Sequence, residues 1–428
     1  MKRISWIYLV GFISLLVIVG LLTIHSGAIA VAEESSQTAS ERIPVVPFRV
    51  LSAAERALIA GNTQFAFDLY RKLHQGNGNL FFSPYSISQA LAMVYTGSDG
   101  KTEKQMASAL HFESAPYDLP PVFRALHSQL VRRGTRNFQL RLGNSLWWQE
   151  RYALRQVYLN TLEKRFGATV ESLDFSTTPE KSRATINEWV SRQSNGKIEE
   201  LLPQGSITSL TRLVLANAIY FRATWKERFN ADFTSNSPFH LLGGGQVTVP
   251  MMEQITPFAY TATGGVQAVE LPYISERFSM VVLLPARGQF EDFASSLTAN
   301  RVAAILEHLS IQMVQIYMPR FEFRSSFEFA AALAELGMTD AFILGRANFR
   351  GMTLDREFFL ENVHHQSIVS VDENGTFAAA ATAGGHGGPG RTDRETQSPV
   401  HLPDPRCRNW DHLVHGASDG SEWGVMSS

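Results

Sequence analysis

VHHQSIVSVDENGTFAAAATA, residues 363–383, decides how this chain is read. Its second half holds Gly375, Thr376, Phe377 and an alanine run from Ala378 to Ala381. Taken as a strand, side chains alternate between faces. Thr376, Ala378, Ala380 and Thr382 then share one face, and Phe377, Ala379 and Ala381 the other. Gly375 gives the backbone freedom at the start of the run. Alone, the run reads as readily as an Ala-rich helix or a linker. His364-His365 hints at a metal, but neighbours in a strand point to opposite faces and no further ligands cluster nearby. No metal site is expected.

Upstream, helix and strand signals mix without a regular βαβ rhythm. Ser52 to Glu55 is a capping box, followed by Ile59, Phe65, Ala66 and Leu69 at helical spacing. Ser83-Pro84 opens a second helix, with Ala90, Leu91 and Val94 on one face and Gly97 as its stop. Thr102 to Gln105 reads as another capping box. Thr178-Pro179 opens a helix carrying Ile186, Trp189 and Val190, closed near Gly196. Phe327 to Leu336 reads as a short helix ended by Gly337. Leu213 to Phe221, Phe278 to Leu284 and Met313 to Met318 read as strands, and the stretch from Leu241 to Pro250 as a hairpin. One large α+β domain over residues 51–383 fits this pattern better than several small ones.

Both ends differ from this body. Lys2 and Arg3 precede an apolar run from Ile4 to Ile24, and Ala28-Ile29-Ala30 and Ala30-Val31-Ala32 offer cleavage patterns. Residues 1–32 therefore read as a secretory signal, with an uncleaved membrane anchor as the minority reading. Residues 33–50 read as a linker. Residues 384–428 begin GGHGGPG, lack a sustained apolar period, and read as disordered on composition.

The chain has 428 residues, of which 44% are hydrophobic and 18% charged, with a net charge of -2. That is globular composition with no electrostatic case for a nucleic-acid partner. The only cysteine is Cys407, so an exported fold must stand without internal disulfides. H-E-x-x-H, a P-loop and paired cysteine sites are all missing, which argues against an enzyme. No cofactor is expected.

Several ordered segments resemble the serpin family. They are NLFFSPYSISQALAMVYTGSDGKTEKQM from Asn79, INEWVSRQSNGKIEELLP from Ile186 and LVLANAIYFRATWKERF from Leu213, then VPMMEQ, VELPY, FSMVVLLP and LGMTDAF, and finally the stretch from Val363. The resemblance implies three β-sheets, eight or nine helices and an exposed reactive-centre loop near the C-terminus. It implies an extracellular, monomeric suicide inhibitor. The partner is a target serine protease, with a cysteine protease as the other class, and a membrane only if the N-terminal segment stays uncleaved. The protease cuts the loop, which enters the central sheet as a new strand and deforms the acylated protease. On this resemblance Glu373, Asn374, Gly375, Thr376, Phe377, Ala378, Ala379, Ala380, Ala381 and Thr382 form the hinge. Small residues on its inward face enter the sheet without forcing the core open. Phe377 departs from the family's usual Glu and should face solvent after insertion, and Ser370 also replaces a usual Glu. Asn374-Gly375-Thr376 matches a glycosylation sequon, but a glycan there would block insertion. Ser83, Ser86, Asn217 and His365 fall on the family's shutter, and Trp225 on the breach where insertion starts. Two alternatives stand beside the inhibitor: a non-inhibitory serpin-like binding or structural protein, and a defective product.

The defective product arises from the tail. The family ends on a pattern close to RPFxFxIRDxxTGxILFMGRVxxP, which this chain lacks. Codons allowed for the written tail, read one base later, permit NRPFIFLIRDVATGTILFMGRVM. A one-base shift between about Ala383 and Gln397 accounts for this. As written, the chain lacks the far side of the loop and the last strands, and is expected to inhibit poorly. Counting by family loop length puts the scissile residue at Pro389, a poor protease substrate.

Overall fold

Local capping chemistry sets the first helices. Ser52 Oγ accepts the Glu55 N–H while the Glu55 carboxylate accepts the Ser52 N–H, closing the capping box at the start of α1, Ala53–Leu73. Ser83 Oγ accepts the Ser86 N–H at the start of α2, Pro84–Thr96, with Pro84 in the first turn. The computed structural model describes residues 2–4, 50–74, 78–131, 137–242, 245–275, 278–355, 358–361 and 363–378. Of the expected signal or anchor only Lys2–Ile4 falls among these, and of the linker only Val50. The tail with Pro389 lies outside them, as do Ala379 to Thr382. Among the described residues no helix is long and apolar enough to cross a membrane.

Among the described residues seven further helices follow: α3 (Gly100–Leu110), α4 (Leu119–Val131), α5 (Gln156–Thr161), α6 (Pro179–Gln193), α7 (Phe290–Ser295), α8 (Ala299–Leu306) and α9 (Ala330–Glu335). Two boundaries differ from the sequence reading. The helix expected to start at Thr102 begins at Gly100, because the Thr102 hydroxyl instead accepts the Asn348 N–H at 3.0 Å. The helix expected from Phe327 begins at Ala330, because Phe327 and Glu328 are held in a strand ladder opposite His365 and His364.

The strands are β1 (Lys2–Ile4), β2 (Phe138–Gln149), β3 (Thr169–Leu173), β4 (Leu213–Thr224), β5 (Ser235–His240), β6 (Gln246–Thr263), β7 (Val266–Pro272), β8 (Ser279–Pro285), β9 (Ser310–Pro319), β10 (Phe321–Glu328), β11 (Val363–Asp372) and β12 (Gly375–Ala378). Among the described residues they make two hydrogen-bonded sheets rather than the three expected. The central sheet runs β10-β11-β12-β4-β2-β3. The second runs β1-β9-β6-β7-β8, with β5 on β6. The physical reason for two is β6: its 18 residues pair in turn with β5, β9 and β7, fusing two small sheets into one. The α+β fold is as expected.

The central sheet is a buried layer. Ile186, Trp189 and Val190 of α6 pack on Ala216, Ala218 and Ile368 from one side. From the other side, Phe221, Ala223, Val369 and Val371 meet Met280, Val314 and Ile316 of the second sheet. Leu215 and Val363 meet the helices, including Ile87 and Leu91 of α2. Apolar residues on both faces explain why β4 reads as a dense apolar run rather than an alternation.

Candidate functional site

The seam between β4 and β11 changes along its length. At its lower end the two strands pair directly and in parallel, Val363 to Gln366 against Leu215 to Ala218. At its upper end β12 lies between them, antiparallel to both: Gly375, Thr376 and Phe377 oppose Asp372, Val371 and Ser370 on one side and Thr224, Ala223 and Arg222 on the other. Ala378 opposes Phe221. The chain thus turns back at Glu373-Asn374 and starts a new strand in the middle of its own sheet.

Side chains hold this turn tightly. The Asp372 carboxylate accepts the N–H groups of Asn374 and Gly375 at 2.8 and 3.1 Å. Burial pushes the Asp372 carboxyl above its ordinary range, with those two hydrogen bonds pulling against it. Trp225 Nε1 donates to the Asp372 carbonyl at 3.0 Å, and the Trp225 N–H to the Asn374 carbonyl at 2.9 Å. The Trp225 ring stacks on Tyr273 with centroids 4.7 Å apart, and the Tyr273 hydroxyl donates to Thr376 Oγ1 at 2.8 Å. Glu373 is buried; burial raises its pKa, but the bonds from Arg320 and Thr234 outweigh this and hold it below the usual carboxylate range. Gly375 does not have a positive φ. Its role is close approach: a Cβ there would lie 2.0 Å from the Ala223 carbonyl oxygen. The freedom expected of this glycine is therefore replaced by a steric requirement.

Below, at the junction of the direct pairing, lies a buried polar network. Asn217 Oδ1 accepts from Ser86 Oγ at 2.6 Å and from His365 Nδ1 at 3.2 Å. The Ser83 N–H donates to His365 Nε2 at 3.3 Å, which fixes the ring proton on Nδ1. Asn217 Nδ2 donates to Asn144 Oδ1 at 2.6 Å. Burial pushes the His365 imidazole down to about 3, so the ring is neutral at ordinary pH. Phe329 stacks over it. A fully satisfied set of this kind is cheap while intact and costly when one member is pulled away.

A family profile described as Serpin (serine protease inhibitor) matches residues 60–403. This chain belongs to the serpin family. Leukocyte elastase inhibitor of Sus scrofa is 40% identical over 340 residues, covering 76% of this chain and 89% of that one. Emu ovalbumin has a similar structure, with a TM-score of 0.70 and 27% identity, covering 79% of this chain and 93% of that one. Cleaved Serpin 42Da gives a TM-score of 0.69 and 30% identity, covering 76% and 88%. Serpins are protease inhibitors rather than catalytic enzymes, and that coarse role comes with membership.

In this serpin Ser83, Ser86, Asn217 and His365 meet in one network, and Trp225 bonds to the backbone of Asp372 and Asn374 at the top of the seam. Thr376 is buried on the inward side and Phe377 is half-buried on the opposite side. Ala379, Ala380, Ala381, Thr382 and Pro389 lie outside the described residues. Asn144, Tyr273, Arg320 and Thr234 were not singled out from sequence. Tyr273 sits in the VELPY segment that carried part of the resemblance; the other three have no local signal, because their partners are far away in the chain. Among the described residues no group of three or more metal-ligating side chains forms.

Proposed function

We propose that this serpin inhibits serine-type endopeptidases as a suicide substrate: it is cut in its reactive-centre loop, which then enters the central sheet as a strand. The observation that carries this reading is the register. β12 already lies between β4 and β11. Continuing its register brings Thr382 opposite both Asn217 and His365, and those two are paired with each other now. A lengthening β12 therefore needs β4 and β11 only to move apart sideways, with no slip of either. Thr376, Ala378, Ala380 and Thr382 keep the inward row small. The direct pairing and the Asn217 network form the gate that must part.

The protein is on this reading secreted and monomeric, with a serine protease partner and a cysteine protease as the other target class. The test is loop cleavage followed by heating, alongside incubation with chymotrypsin-, elastase- and trypsin-like proteases. An inhibitor gains heat resistance on cleavage and forms an SDS-stable complex; a cleaved chain that melts where the intact one does refutes the reading.

One observation favours the defective product as a second reading. Ile255, Ile311 and Met313 share the outer face of the β6–β9 pair and are all exposed. Such an apolar stripe is what missing C-terminal strands would leave uncovered. Resequencing the 3′ end, and comparing inhibition by the written and frame-restored chains, separates the two readings.

A further inference from the structure

We propose that Arg222 and Phe377 form a latch that holds the hinge four residues deep in the sheet and sets how readily the rest of the loop follows. The proposal rests on the insertion reading above. Phe377 faces away from Tyr273, on the same side as Arg222 of β4, its partner in register. The guanidinium carbon stands over the ring, 5.0 Å from the centroid. Arg222 Nε is buried and has no hydrogen-bond partner among the described residues. Its neighbour across β2 is Gln139, and beyond Phe377 comes Ser370, so no carboxylate stands in register beside it to compete for the charge. Among the described residues the ring face is the partner the cation has.

The hinge is thereby gripped from both sides of the sheet: Thr376 by Tyr273 on one side, Phe377 by Arg222 on the other. Phe377 is the single large side chain on the outer row, since the next two positions are Ala379 and Ala381. Alanines can slide past β4 without being caught. Only residue 377 can stop on Arg222, and it does so in the register that insertion uses. A Glu, the residue usual for the family here, would make an ion pair that salt weakens; the aromatic ring shields its cation from water instead. A cation over an aromatic ring, partly desolvated, changes an equilibrium roughly three- to thirtyfold.

Amide hydrogen exchange on the full chain tests this, with the paired segments 363–366 and 215–218 as internal reference. Phe377→Ala and Arg222→Gln should each lower protection of residues 375–378 about tenfold relative to wild type. The double variant should fall little further, because the two residues act as one unit. Phe377→Leu keeps apolar bulk without the ring and should behave like Phe377→Ala. Unchanged protection in the reference segments shows that the fold is intact. Wild-type protection in both single variants, full additivity in the double variant, or wild-type protection in Phe377→Leu overturns the latch. Exchange reads the resting hinge, whereas heat resistance after cleavage reads insertion. Loss of the second with the first intact sinks the inhibitory mechanism and not the grip itself.

Discussion

Lowering the pH should loosen the seam through His365. The imidazole of an unfolded chain takes up its proton near pH 6.5, at roughly the model-peptide value. The buried ring, accepting from the Ser83 N–H and donating to Asn217, does so only at about 3. Between those values the folded state binds fewer protons, so stability is full above the unfolded value and is lost as pH falls below it. From pH 7.5 to 5.0 the loss from this one group is about 2 kcal/mol, a factor of about thirty in the open-to-closed ratio. His127 and His364 are also held below their ordinary value by burial and add to the fall, while Asp372, raised by burial, opposes it at lower pH. The comparison must therefore be made against His365→Gln, which keeps polar reach but does not titrate. Urea unfolding midpoints at the two pH values are the assay. Wild type should lose about 2 kcal/mol more than the variant over that range. The variant will be weaker throughout, but the slopes are what count. Equal pH dependence in the two proteins would refute the assignment of a neutral, gate-holding imidazole.

Other outcomes follow from the same geometry. Gly375→Ala drives a Cβ into the Ala223 carbonyl; pairing of residues 375–378 should be lost at a cost of at least about 1–3 kcal/mol, read by amide exchange. Glu373→Gln removes the charge facing the half-exposed Arg320 and should cost about 1 kcal/mol after allowance for screening; because the wild-type carboxyl is held below the ordinary carboxylate range, the deficit should be present near pH 7 and be lost only as the pH falls below that range and the carboxyl takes up its proton. Tyr273→Phe deletes the hydroxyl that donates to Thr376 and should destabilise the hinge by about 1 kcal/mol in urea unfolding. Thr382→Arg puts a long charged chain in the inward row opposite Asn217 and His365; the cleaved variant should fail to gain heat resistance, and a normal gain would contradict the inferred register.

Legibility from sequence followed the range of the interactions. The capping box at Ser52 and the Ser83-Pro84 start were readable because donor and acceptor lie within one helical turn. The Thr102 box looked equally good, yet its hydroxyl is taken by Asn348, 246 positions away in the chain. Phe327 to Leu336 carried helical composition, but pairing with β11 holds its first two residues in a strand. The residues expected at the shutter were reachable only through the resemblance. Ser83, Ser86, Asn217 and His365 come from three distant segments, and nothing in their spacing brings them together. Asn144, which completes the network, escaped because the pairing of β2 with β4, and not any motif, sets it opposite Asn217.

By itself the sequence determined the α+β class, the main helices and strands, and the small-residue row that suits a strand entering a packed sheet, because periodicity and side-chain size are local properties. Tertiary structure alone decided where Gly375 to Ala378 pair, why Gly375 must be glycine, and which cation meets Phe377. Each of those depends on backbone and side chains contributed by β4, some 150 residues earlier, and such approach distances exist only once the sheet is assembled.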